Sequence, residues 1–450
     1  MSSSQEVTRP RGLWFLTLFA AEEIPAAMVT YVALLMLLQL GLAPAEATFC
    51  SALLFVPWVL KSFMRPWVSR VGHFRLVLHF IEALLFISLL LLAFSFRPSS
   101  SLFPDGSSFL TSHSSLFTFL ALLLVSLLCA WHELAARMYY ERMLRPAYQR
   151  LLTVPKLVCS QIAIIFTYGA LIFLVGTLEV YFRQIRYSWS VGCYVTAGIL
   201  LFFAFIHLCT LSDSNGQQTF RDYNRAMMLK HSRIDNGQHI VDNKALSVGR
   251  SCHLVGAQAQ MLSALLIFLL ILPQALMFHA RVLYLYDTQA HGGLQCTIQE
   301  IGFAQGTVGV IAFSVGIALG RTLIIRHTLH RLFWPMALSL VLSPFVYLGM
   351  TLWPPQSLPA LCCCTMTAQF LFGLGLSVCR LPISTISGPR YRNTINMLQI
   401  PLVSAAMIVP MALSGWMVEQ LGYNTYFLVN ALSAPVCLLG IFLLRRHIRD

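Results

Sequence analysis

The chain has 450 residues, of which 57% are hydrophobic and only 10% charged, with a formal net charge of +13. A soluble domain carries about 25% charged residues because its surface must be wet, so the solvent for most of these side chains is lipid. The positive balance does not point to nucleic acid, because Lys and Arg sit in short clusters between apolar runs, with no basic face interleaved with aromatics. The 12 cysteines include no CxxC pair, and Cys362, Cys363 and Cys364 stand together inside an apolar run. They read as small packing residues, and neither a disulfide framework nor a metal or other cofactor is expected.

A membrane-spanning helix needs about 20 mostly apolar residues. Twelve stretches qualify: 12–40, 46–64, 74–96, 116–138, 151–178, 188–211, 254–280, 301–325, 332–352, 358–380, 395–418 and 424–444. The first is too long for a signal-peptide core and reads as a retained span. With the N-terminus inside, every Lys and Arg except Arg97, Arg183, Arg186 and Arg281 falls on the side of the termini. This is the positive-inside asymmetry, and it predicts that both termini are cytoplasmic. A missed helix would have sent every later cluster to the opposite side. The lack of any Asn-x-Ser/Thr acceptor fits a bacterial inner (cytoplasmic) membrane.

The longest polar stretch, 212–253, follows the sixth span and mixes Asp213, Asp222, Asp235 and Asp242 with basic residues. It divides the chain into an N-terminal six-helix bundle over 1–211 and a C-terminal one over 254–450. The fold class is all-α, a polytopic membrane protein built as two repeats, which is a plan of secondary transporters. The Ser-rich segment from Arg97 to Ser115, with Pro98, Pro104 and Gly106, reads as a surface loop.

Ionisable groups inside a bilayer cost enough that each one needs a reason. Glu22 and Glu23 lie about 15 Å along the first helix, near the midplane. Pro25 follows at once, removing a backbone hydrogen bond at a depth where that is tolerated only beside protein or water. A carboxyl group that is neutral when shielded and ionised when wet can carry a proton, so either glutamate is a candidate coupling site. Packing against neighbouring helices is the other reading. His79 and Glu82 share a face of the third helix, as a relay or a mutually neutralising pair. Glu133, Arg137 and Glu141 form an i,i+4 series on the fourth helix. Glu133 is a third proton-coupling candidate. Polar uncharged residues dot the second half, and Tyr31, Gln258 and Gln369 are the expected walls of a substrate cavity. In this reading no Lys or Arg comes near the midplane, which disfavours a phosphate pocket built from paired arginines.

Several short patterns resemble the major facilitator superfamily over nearly the whole chain. Lys61, Pro66 and Arg70 have the Lys-x-x-x-x-Pro-x-x-x-Arg spacing that precedes the second-to-third helix turn in muropeptide permeases of the AmpG type, with Ser69 where those carry an acid. Glu22-Glu23-Ile24-Pro25 stands where they have a Gly-x-Pro break, and His132-Glu133 where they have a polar residue followed by aspartate. Gly316 with Gly320-Arg321 resembles the second-half copy of the turn. Gly415-Trp416, Gly422-Tyr423 and Phe427 are similar to the penultimate helix and last hairpin of many facilitators. The resemblance implies a monomeric secondary transporter with Lys61, Pro66 and Arg70 at a cytoplasmic gating turn. It also implies a central cavity bordered by the first, fourth, seventh and tenth helices. A proton-coupled importer of a muropeptide, of another peptide or glycan, or of a siderophore is the functional expectation. A membrane-embedded enzyme or sensor is the alternative. The sequence has no His-x4-Asp, Gly-x-Ser-x-Gly, His-Glu-x-x-His or phosphate-loop motif to carry enzyme chemistry.

Overall fold

The computed structural model describes residues 14–70, 74–96, 113–144, 146–211, 248–326, 329–386 and 388–448, and their regular structure is helical. Six helices form the first half: α1 Trp14–Gln39, α2 in two pieces (Pro44–Leu53 and Val56–Arg70), α3 Phe74–Ser95, α4 His113–Met143, α5 Thr153–Phe182 and α6 Ile185–Thr210. The second half holds α7 Val248–Tyr286, α8 Ile298–Ile324, α9 Leu329–Leu352, α10 Leu358–Ile386, α11 over 388–421 and α12 from 423 to 448. Of the expected inter-bundle loop 212–253, residues 212–247 lie outside the described residues, as do 97–112 of the Ser-rich loop, while 248–253 are already helical and begin α7, so the second half starts before 254.

Lipid is written on individual helices. On α3, Leu76, Phe80, Ile87, Leu91 and Phe94 are exposed along one stripe, while Leu78, Leu85, Leu89 and Leu92 on the other face are buried. A stripe that is exposed and apolar has hydrocarbon as its solvent. Ten segments are long and apolar enough to cross a membrane. One of these, Pro401–Gly440, contains two crossings, because Gly422 at φ 72° ends α11 in a conformation that glycine adopts without strain. The remaining crossing, α2, is absent from these because its interruption leaves pieces of 10 and 15 residues, each too short to span alone. Among the described residues the crossings number twelve.

Prolines set the local breaks. Pro57 has no N–H and its ring crowds the carbonyl of Leu53, so α2 is interrupted at Leu54 and Phe55. The Leu54 carbonyl accepts instead from the Ser126 hydroxyl of α4. The expected break at Pro25 is milder. The helix continues through a π-helical turn, Met28–Val32, with Thr30 donating to the Ala26 carbonyl and Thr167 of α5 donating to that of Ile24. One hydroxyl of the same helix and one of a neighbouring helix thus bond carbonyls beside the proline, and the helix runs on without a gap.

The halves meet along α2 with α11, α5 with α8, and α1 with α7. Ser314 of α8 donates to Gln161 Oε1 of α5 at 2.9 Å on the side of the termini, and the other hydrogen bonds between the halves gather at the opposite end. There Ala45 N donates to Glu419 Oε1 at 2.9 Å, Gly415 N to Thr48 Oγ1 at 3.2 Å, and Ser51 bonds His279 at 3.2 Å. On α5 and α8, the π-helical segments Ile165–Leu171 and Gly302–Gly309 pack backbone to backbone, because a Cβ at Gly306 would enter the Tyr168 carbonyl. Gly316 and Gly320 do not form a second copy of the basic turn. Both lie inside α8, where Gly316 lets α10 approach as far as the Phe370 carbonyl and Gly320 packs on Ser377.

Closure at this end therefore depends on the absence of a side chain at Gly306. In Gly306→Val the α5–α8 contact should open, raising the labelling of a cysteine at Thr30 by an impermeant maleimide applied from the closed side. Gly198→Val, whose Cβ meets nothing within 4 Å, should leave labelling unchanged.

Candidate functional site

Between the halves lies a cavity of about 800 Å³, a volume suited to a small organic solute. Phe55, Phe278, Met407 and Met411 form an apolar cluster across the two halves, beneath the closed end. The wall continues past Glu133 and Gln369 towards Arg137 and Leu376, on the side of the termini. All four helices expected to border it contribute, and so do α2, α5, α8, α9 and α11.

Glu22 and Glu23 both line this cavity, although adjacent helix positions point about 100° apart. Glu22 is buried and its Oε2 has no hydrogen-bond partner. Glu133 also lines the cavity, but it is held from two sides. Trp58 Nε1 donates to Glu133 Oε2 at 2.9 Å, and Lys61 makes an ion pair with Oε1. Lys61 is thus not at the turn where the resemblance put it. It lies inside α2, buried, about 15 Å before the turn by helical rise. The physical reason is local: the ion pair with Glu133 offsets the cost of burying an ammonium this deep. The side chains of Pro66 and Arg70 lie outside the described residues, though α2 itself runs through them. The i,i+4 series on α4 survives only as Arg137–Glu141, an exposed pair at 3.0 Å, because Glu133 turns to Lys61.

Tyr31 stacks on Tyr168 of α5, with centroids 5.4 Å apart, and approaches Phe278 of α7 at 5.6 Å. Gln369 Nε2 donates to Gln305 Oε1 at 3.4 Å, and Gln305 Nε2 to the Tyr347 hydroxyl at 2.8 Å. These amides form a fixed polar strip on the second half. The Gln258 side chain lies outside the described residues. Gln274 of the same helix is buried in the wall.

One sequence reading is corrected outright. Arg281 had been placed in an outside loop, leaving the cavity without a cation. In the structure α7 runs on to Tyr286 as a helix of 39 residues, and Arg281 forms part of the cavity wall. Its guanidinium lies over the Phe278 ring, 5.0 Å from the centroid. A basic residue at the edge of a hydropathy window is readily assigned to a loop, whereas the stem of arginine can stay with the helix.

A second cluster was seen only in part. Glu82 is 1% exposed and meets three histidines rather than the neighbouring His79 alone. His79 Nδ1 lies 3.3 Å from its Oε2, His132 Nε2 3.4 Å from Oε1, and His207 Nδ1 2.5 Å from Oε1. His207 Nε2 also reaches Thr17 of α1 at 3.2 Å. One carboxylate thereby ties α3 to α4 and α6, and through Thr17 to α1. Histidine in an apolar span was the available signal, since a buried imidazole must find a partner.

Removing the hub should deprive the buried imidazoles of His132 and His207, and the half-buried one of His79, of their shared carboxylate. Glu82→Ala should cost about 3 kcal/mol of stability and markedly lower the melting temperature of the purified protein. Glu141→Ala, which deletes an exposed ion pair, should change stability by less than about 1 kcal/mol.

No family model and no curated sequence matches the chain. Solved structures do. An inward-open conformation of the xylose transporter XylE from E. coli aligns with a TM-score of 0.60 at 14% identity, over 95% of this chain and 94% of that one. The nucleoside transporter NupG aligns at 0.62 and 13% identity, covering 97% and 98%. A bacterial homolog of the human lysosomal transporter Spinster, inward-facing and unoccupied, gives 0.60 at 13%, covering 97% and 96%. At such identities the likeness establishes the fold alone, and that fold is the major facilitator arrangement of twelve helices in two bundles.

Proposed function

We propose that this chain of major facilitator fold is a secondary transporter, which carries a small solute across the membrane by alternating access and couples it to protons. The observation that carries the reading is the pair Glu22 and Glu23. Both stand in the wall of the inter-bundle cavity, and Glu22 Oε2 has no partner to settle its charge. A carboxyl group that sees water on one side of the membrane and is shielded during the crossing takes up a proton and releases it on the far side. Glu133 is the weaker candidate because Lys61 and Trp58 already hold it. Its role is to fix α2 to α4 beside the glutamates.

The basic clusters put the side of the termini in the cytoplasm, so a cavity closed at the opposite end faces inward. The proton gradient then favours import. The similar structures include a D-xylose-proton symporter and a proton dependent oligopeptide transporter, which supports protons as the coupling ion. One chain encloses the whole cavity, so a monomer suffices.

Proteoliposomes with an imposed pH gradient, offered labelled muropeptides, peptides, siderophores and sugars, test this directly. The wild type should accumulate one of these classes. Glu22→Gln or Glu23→Gln keeps shape and hydrogen bonding while fixing the neutral state, so accumulation should collapse and exchange at equal pH should survive. Normal accumulation by the double variant would make both carboxylates structural and refute coupling at this site.

A further inference from the structure

We propose that Arg281 is an anion-binding subsite in the cavity, and that the solute carries a carboxylate which docks on it. The inference deepens the transporter reading and rests on it. Arg281 is 7% exposed, and its Nε is buried with no hydrogen-bond partner. Among the described residues no carboxylate lies within ion-pair distance of it. A guanidinium left unpaired at this burial is strongly destabilising, unless its partner arrives from the space it faces. It faces the cavity.

The other cation in the cavity wall, Arg137, pairs with Glu141, and Lys61, behind the wall, pairs with Glu133. A phosphate dianion is held by paired cations, whereas a single free guanidinium matches one carboxylate through a two-pronged contact. Phe278 under the guanidinium, with Tyr31 and Tyr168 stacked alongside, offers flat apolar surface for the body of the solute. Gln305 and Gln369 supply neutral hydrogen-bonding groups on the same half. The class indicated is an organic monocarboxylate with a planar or apolar body. Glu22 and Glu23 come from the opposite half, so an anion at Arg281 and protons on the glutamates lower each other's electrostatic cost. Solute and proton would then be bound together.

Equilibrium binding to the purified full chain, with no gradient present, separates this subsite from transport. The probes are hippurate with its amide, and N-acetyl-phenylalanine with its amide. Each carboxylate should bind wild type at least about tenfold more tightly than its amide, the worth of one charge-assisted contact. Arg281→Gln should abolish that preference, and Arg281→Lys should keep part of it. Should Arg281→Gln fail to fold, the wild-type and Arg281→Lys comparisons decide. The proposal is overturned if neither carboxylate binds wild type, if acid and amide bind alike, or if the preference survives Arg281→Gln. Gradient-driven accumulation of a solute without any carboxylate preference would sink the subsite and leave transport standing. Carboxylate binding with no accumulation of any solute would do the reverse.

Discussion

A charged side chain inside a bilayer has no water to turn to, and this constraint organises the whole molecule. Each ionisable group within the helices must find a partner in protein or border a wet cavity. Most are settled by a partner. Glu82 takes three histidines from three helices, and Lys61 takes Glu133. These contacts tie helices together and fix the first half as a rigid body. Glu22 Oε2 and Arg281 Nε, two of the buried polar atoms left without a hydrogen-bond partner, line the cavity from opposite halves. The sorting separates what holds the fold from what is free to bind and release.

A second constraint comes from the backbone. Lipid does not drive helices together as water does, so contact depends on close approach. Where the halves meet, glycines remove the side chains that would keep them apart. Gly169 and Gly306 do so between α5 and α8, and Gly415 between α11 and α2. The hydrogen bonds around Thr48 and Glu419 are few and shared between hydroxyl, amide and carboxylate. An interface of small residues and few polar contacts can hold one closed state and still be parted. The π-helical turns in α1, α5 and α8 lie beside it, where the regular i→i−4 ladder is already loosened.

Hydropathy and the distribution of basic residues made the membrane class, the twelve crossings and the two halves legible from the sequence, because these depend on composition over about 20 residues. The acids of α1 were legible too, since two adjacent glutamates in an apolar run have few explanations. What stayed hidden was set by contacts between distant residues. His132 and His207 reach Glu82 across 50 and 125 positions, and Lys61 reaches Glu133 only after α2 and α4 pack. A hydropathy window read Arg281 as the end of a span, when it is an interior turn of a longer helix. The sequence also suggested a break at Pro25, where the helix instead runs on into a π-helical turn.

The central claim is that the end now closed must open for solute to pass. Ala45 and Glu419 meet across that end, with the amide of one 2.9 Å from the carboxylate of the other. Cysteines placed at these two positions, in a background with the native cysteines replaced by serine, can be joined by a short cleavable cross-linker. Solute uptake into proteoliposomes should stop when the link forms and resume when it is cut. Uptake at the full rate with the link intact would contradict alternating access through this cavity.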